Sequence, residues 1–243
     1  MEAIKTKNLT KRYGKLTALE GLDLTVEQGE MVALLGVNGA GKTTAIKLLS
    51  CLTAPTEGEA WLCGHSILNA QDAVKHVIGI SPQETAVAKK LTVRENLQFM
   101  AQIYGATKQE APERVEKMIE QLGLSPVAAQ RAGTLSGGWQ RRLSIAMALI
   151  GEPQILFLDE PTLGLDVLAR HELWEQIRTL KGKTTVILTT HYLEEAEALC
   201  DRIAILASGK LITLGTVSQI KALAGKESFE DAFVTLCAGG ARV

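Results

Sequence analysis

Apolar and polar residues alternate at 4–9 and again at 22–26, the period of half-buried strands, and residues 31–35 are apolar without a break. An uninterrupted run of that length reads as a strand buried on both faces. It leads straight into a glycine-rich turn, after which Ile46, Leu48, Leu49 and Leu52 make a helical stripe over 42–52. A further strand is predicted at 77–80. From 91 to 150 the texture is helical: Thr92-Val93-Arg94-Glu95 has the form of a capping box, and an amphipathic helix over 111–122 stops at Gly123. Strands at 155–158 and 185–189 then alternate with helices at 167–180 and 192–199, and two short strands, 203–206 and 210–214, turn at Ser208-Gly209 ahead of a last helical segment. Alternation of this kind predicts an α/β core with a largely parallel sheet and an inserted helical lobe.

The turn after the buried strand is Gly36-Val37-Asn38-Gly39-Ala40-Gly41-Lys42-Thr43, with Thr44 next. Glycines at 36, 39 and 41 let successive N–H groups turn inward toward phosphate oxygens, and the following helix adds its positive end. Lys42 supplies a point charge for the β- and γ-phosphates, and the Thr43 hydroxyl suits Mg²⁺. Strand, loop and helix in this order predict a nucleotide triphosphate site.

A second element, Ile155-Leu156-Phe157-Leu158-Asp159-Glu160, delivers two carboxylates to the end of an apolar strand, where open α/β sheets bind ligands. Asp159 is placed to hold Mg²⁺ and Glu160 to polarise an attacking water. The third is Leu135-Ser136-Gly137-Gly138-Trp139-Gln140, a helix start that Ser136 would cap and that would also attract an anion.

Composition narrows the partners. A net charge of −1 gives no broad basic field, so no nucleic-acid partner is expected. Cys51, Cys63, Cys200 and Cys237 lie far apart with no Cys-x-x-Cys pair, the usage of reduced thiols rather than of a metal site. Charged residues within 1–7 leave no room for a secretory apolar run, and no stretch approaches the roughly 18 apolar residues of a membrane helix, so a cytoplasmic location is expected.

The three motifs in this order resemble the ATP-binding subunits of ABC transporters, and the resemblance covers nearly the whole chain. It implies ATP and Mg²⁺ as cofactors and ATP hydrolysis as the reaction. The implied fold is a P-loop NTPase core of ABC type with an antiparallel β subdomain and an inserted helical lobe. Residues 1–243 would form one such domain: 1–90 and 152–224 the core, 91–151 the lobe with the signature motif, and 225–243 a short tail. In that family Ser136, Gly137 and Gly138 act in trans, closing over the γ-phosphate held by the loop of a second subunit, a copy of this chain or a close relative. Tyr13 matches the aromatic that stacks on adenine, Gln83 the glutamine that touches Mg²⁺ and the attacking water, and His191 the histidine that contacts the γ-phosphate. Leu163-Gly164-Leu165-Asp166 matches the segment that joins the two sites across the dimer. Taken singly, Tyr13 also reads as a rim aromatic, Gln83 as a solvated loop residue and His191 as a helix cap.

Having no span of its own, such a subunit works peripherally at the cytoplasmic membrane face through a separate permease. Gly79-Ile80-Ser81-Pro82-Gln83-Glu84 and Thr190-His191-Tyr192-Leu193-Glu194-Glu195 are similar to subunits of drug, antibiotic or polysaccharide exporters, as is Ser228-Phe229-Glu230-Asp231-Ala232-Phe233. The alternatives are a soluble ABC ATPase acting on nucleic acid or ribosomes, and a P-loop kinase or nucleotide-sensing switch. Val37, Val167 and Trp139 depart from common family residues without removing a chemical group. His65, His76, His171, Trp61, Trp174, Arg141-Arg142 and Glu194-Glu195 read as packing or solvated charge.

Overall fold

The computed structural model describes residues 1–240, so the last three residues of the tail expected at 225–243 lie outside the described residues. Strand β1 (Glu2–Tyr13) extends well past the alternation at 4–9 and is followed by β2 (Leu16–Leu22) and β3 (Thr25–Glu27), where the sequence suggests one strand at 22–26. The break has a local cause. The Thr6 hydroxyl donates to Leu22 O at 2.6 Å and accepts from Leu24 N at 2.8 Å, while Asn8 N donates to Asp23 Oδ1 at 2.7 Å, so side chains replace the ladder there.

Next come β4 (Met31–Leu35), α1 (Lys42–Leu49), β5 (Glu57–Leu62), β6 (His65–Ser66), α2 (Gln71–Val77) and β7 (Ile78–Ser81). Helix α1 stops three residues before the predicted end at 52: Ser50 Oγ donates back to Ile46 O at 2.7 Å, and Cys51 follows with φ of 59°. Val77 closes α2 rather than opening β7.

The helical part is α3 (Val93–Ile103), α4 (Ala111–Gln121) and α5 (Gly137–Leu149), and Thr92 and Glu95 do form a reciprocal capping box. The chain continues through β8 (Ile155–Asp159), α6 (Val167–Arg178), β9 (Thr185–Thr190), α7 (Leu193–Leu199), β10 (Arg202–Ala207), β11 (Lys210–Gly215), α8 (Val217–Ala224) and α9 (Phe229–Gly240).

Six strands form the main sheet in the order β11-β10-β4-β9-β8-β7, parallel from β10 to β7 with β11 antiparallel at the edge. A second, antiparallel sheet runs β2-β1-β5-β6, with β3 also paired to β1. The architecture is the mixed α/β P-loop fold expected. Alternate residues of the main strands feed different cores, which is why β4 is wholly apolar and β8 is apolar up to Asp159. Met31, Ala33, Leu35, Leu156 and Leu158 join the packing of α3 to α7, whereas Val32, Leu34, Ile155 and Phe157 pack toward α1 and the antiparallel sheet. Each fully buried Val, Leu, Ile, Met or Phe among them stabilises the fold by about 1.5–3 kcal/mol. Among the described residues no helix is long and apolar enough to cross a membrane.

Candidate functional site

The parallel register brings the carboxyl ends of four neighbouring strands into line. Leu35 pairs with Thr190, Asp159 with Thr189, and Ser81 with Leu158, so the segments beginning at Gly36, His191, Glu160 and Pro82 leave the sheet at one edge. Ligands of parallel sheets bind at such an edge. There the protein has a cleft of about 400 Å³ lined by Tyr13, residues 38–44, Gln83, Glu160 and His191. Thus Tyr13, Asn38, Gly39, Ala40, Gly41, Lys42, Thr43, Thr44, Gln83, Glu160 and His191, widely spaced in sequence, share one cavity.

Gly41 is the pivot of the loop. Its φ of 101° is outside what side-chain-bearing residues adopt, and a Cβ there would come within 2.6 Å of Ala18 O. No side chain caps α1 at this position, so its first N–H groups keep their donors for a ligand. Lys42, only 6 % exposed, donates to Gly36 O at 2.7 Å and lies 3.2 Å from Glu160 Oε1. His191 Nδ1 holds the other Glu160 oxygen at 2.8 Å. The carboxylate is therefore pinned between a lysine and a histidine.

Glu160 itself has φ of 49°, a sparsely populated conformation for a residue with a side chain. Thr189, which the motifs do not single out, stabilises it. Because β9 lies between β4 and β8, the fully buried Thr189 hydroxyl can donate to Asp159 Oδ1 at 2.5 Å and accept from Glu160 N at 2.9 Å. Thr43 Oγ1 donates to the same Asp159 oxygen at 3.3 Å, closing the link from loop to carboxylate. No sequence signal distinguishes Thr189 from Thr185 or Thr190 on the same strand. Leu16, Thr17 and Ala18 on β2 also line the cleft beside Tyr13, and they were hidden because β2 itself shows little alternation.

Ser136, Gly137 and Gly138 do not line this cleft, and neither do Gly36, Val37 and Asp159, although Gly36 O accepts from Lys42 and Asp159 Oδ1 from Thr43. Ser136 occupies the N-cap position of α5, but its side chain makes no cap hydrogen bond, contrary to the capping role expected. Being exposed, it has water as an alternative partner, and the helix start stays open to an anion.

Of the charges read as packing or solvated, Arg141, Arg142 and Glu195 prove to be interior. Arg141 is 4 % exposed and donates to the carbonyls of Pro82 and Gln83. Burial pushes its guanidinium pKa down, and Asp159 and Glu195 oppose that shift. Glu195 is completely buried; its Oε1 accepts from Trp174 Nε1 at 3.2 Å, and Oε2 has no hydrogen-bond partner among the described residues.

Burial lifts the Glu195 carboxyl above its ordinary value of 4.5, so the folded chain binds that proton more tightly than the unfolded chain. The resulting stabilisation is present at low pH and is lost as pH rises through the folded value. Glu195→Gln removes the titration and keeps the acceptor for Trp174. The variant's melting temperature, measured from pH 5 to pH 8, is expected to gain on the wild type by a few °C as pH rises. A constant difference across that range would contradict this account.

A profile of the ABC transporter family matches residues 19–163. The daunorubicin resistance ATP-binding protein DrrA3 of Streptomyces coeruleorubidus is 41% identical over 229 residues, 94% of this chain and 72% of that protein. The Nod factor export ATP-binding protein I of Burkholderia lata is 42% identical over 214 residues, 87% of this chain and 70% of that one. Among solved structures, an ATP-binding subunit of an ABC transporter superposes with a TM-score of 0.85 at 31% identity, covering 96% of this chain and 99% of its own. A dimeric ATP-binding cassette in a post-hydrolysis state, bound to ADP and Pi, superposes with a TM-score of 0.77 at 28% identity, covering 88% and 98%.

Proposed function

The chain belongs to the ABC transporter family as an ATP-binding, ATP-hydrolysing subunit, and from that membership we propose that two such subunits close head to tail over ATP and drive export through a separate membrane permease. One observation carries the pairing: within a single chain the cleft is incomplete. The loop, Glu160, Gln83 and His191 meet in it, while Ser136 and Gly137 stand exposed at the start of α5 outside it. A second chain, identical or closely related, would bring Ser136, Gly137 and Gly138 to the γ-phosphate. The similar cassette solved as a dimer with ADP and Pi supports that reading.

Tyr13 would stack on the adenine at the rim, where it is half exposed. The amides of residues 36–44 would cradle the phosphates, with Lys42 turning from Glu160 toward them. Mg²⁺ takes hard oxygen ligands and needs only one or two carboxylates beside substrate phosphates. Thr43 Oγ1 and Asp159 Oδ1, 3.3 Å apart at the foot of the loop, are such a set, and Gln83 would add to it from its own loop. Bound there, the ion would neutralise charge on the β- and γ-phosphates. Glu160 would orient and polarise the attacking water, His191 would hold Glu160 Oε2 while reaching the γ-phosphate, and the partner's α5 start would stabilise the transferring charge.

Export is supported by what the relatives are named for, daunorubicin resistance and Nod factor export. The permease would dock along residues 83–104, among which Phe99 and Ile103 on α3 and Tyr104 at its end are exposed, and would hold the subunit at the cytoplasmic membrane face.

The test of the pairing is Ser136→Arg. It is expected to lower turnover about a hundredfold while leaving ATP binding by the single chain intact, and the wild-type rate per subunit should rise with protein concentration. Undiminished phosphate release by the variant would refute a trans role for Ser136. For the permease, photo-crosslinking from Glu84 in cells is expected to trap a polytopic membrane protein, and a failure to trap one would count against docking here.

A further inference from the structure

Helix α5 is fastened to the edge strand β7 along one face. Residues 141, 144 and 148 are spaced so that they share that face. At Gly79 the helix comes so close that a Cβ would lie 2.2 Å from Ala148 O. One turn along, Ser81 Oγ and Ser144 Oγ are 2.9 Å apart in the interior. At the end of the row, Arg141 Nη1 and Nη2 donate to Pro82 O at 2.6 Å and Gln83 O at 2.5 Å.

Beyond that point β7 has ended, Pro82 offers no N–H, and among the described residues Arg141 makes the only hydrogen bonds to the backbone of residues 82–87. A stretch so poorly tied would wander without it. The planar guanidinium holds two N–H groups side by side in a fixed fork toward two successive carbonyls, a rigid geometry that a lysine's rotating ammonium lacks.

We propose that Arg141 is a positioning residue: it ties the root of the Gln83 loop to the helix that begins at Ser136, so that Gln83 is held at the nucleotide cleft in register with the signature segment. This rests on the role given to Gln83 under the proposed function and adds a residue to it. Through this tie a displacement of α5 is transmitted to Gln83 of the same chain. The end of the helix that meets the partner's phosphate and the loop over the chain's own phosphate then move together.

The test is a double-mutant cycle in the full chain, with steady-state ATP hydrolysis and melting temperature measured for every variant. Arg141→Met is expected to lower kcat about tenfold with KM for ATP within about threefold, and to have less than about a twofold effect in a Gln83→Ala background. Arg141→Lys, which keeps the charge but not the fork, should fall between wild type and Arg141→Met. A merely structural arginine would lower kcat by the same factor in both backgrounds, and that result overturns the proposal. If Arg141→Met does not fold, the same comparison with Arg141→Lys decides the question. Normal turnover in Gln83→Ala alone would sink the role of Gln83 and the tie with it. Slow turnover in Gln83→Ala beside a normal Arg141→Met would sink the tie alone.

Discussion

Glu160→Gln is expected to lower kcat about a thousandfold, close to 4 kcal/mol of transition-state stabilisation, while ATP binding stays within a few-fold of wild type. The amide is isosteric with the carboxylate, so its carbonyl oxygen can keep facing Lys42 Nζ and its NH₂ can donate to His191 Nδ1. What disappears is the negative charge that, in the proposed mechanism, would polarise a water and accept its proton. With ATP bound and hydrolysis stalled, two subunits should remain closed on each other. Phosphate release at saturating ATP, equilibrium nucleotide binding and light scattering with and without ATP would measure the three parts. Turnover within threefold of wild type would eliminate Glu160 as the water-orienting group, and an ATP-loaded variant that stays monomeric would count against the head-to-tail pair.

Lys42→Ala should be more damaging still, because it removes the lysine charge that offsets Glu160 in the cleft. In the wild type one buried ammonium stands beside Glu160, and it also ties the loop together through Gly36 O. Without it, incoming phosphates meet carboxylates with no cation from the chain to offset them. Affinity for ATP is expected to fall about a hundredfold and kcat/KM more than a thousandfold. The variant should also lose stability, because Glu160 is left buried with only His191 as partner. Glu160→Gln added to Lys42→Ala should restore part of the melting temperature without restoring hydrolysis. Nucleotide binding measured well below the melting temperature separates the two effects. Near-normal affinity there would show that the loop amides alone hold the phosphates.

The strong local signals were read correctly because each is set within a few residues. The buried strand of 31–35, the glycine loop and the capping box at Thr92 depend on side-chain polarity and backbone freedom in their own neighbourhood. Where a side chain from elsewhere intervened, the reading failed. Thr6 on β1 divides the strand suggested at 22–26. For Arg141 and Glu195 the sequence leaves open whether they pack or are solvated. Only the helices and strands packed over them make them interior, where burial shifts their proton affinities.

For the site, the chain's own order of residues determined which chemistry is available: a phosphate loop, a strand ending in two carboxylates, and a serine-glycine helix start are recognisable from spacing alone. The tertiary structure decided how they meet. Strand order puts β9 between the loop strand and the carboxylate strand, so the Thr189 hydroxyl can bond Asp159 and Glu160 at once. It also leaves Ser136 outside the cleft that its own chain forms. Neither fact can be local, because each depends on which distant strands become neighbours, and that is settled by burying apolar faces across the whole sheet rather than by any single motif.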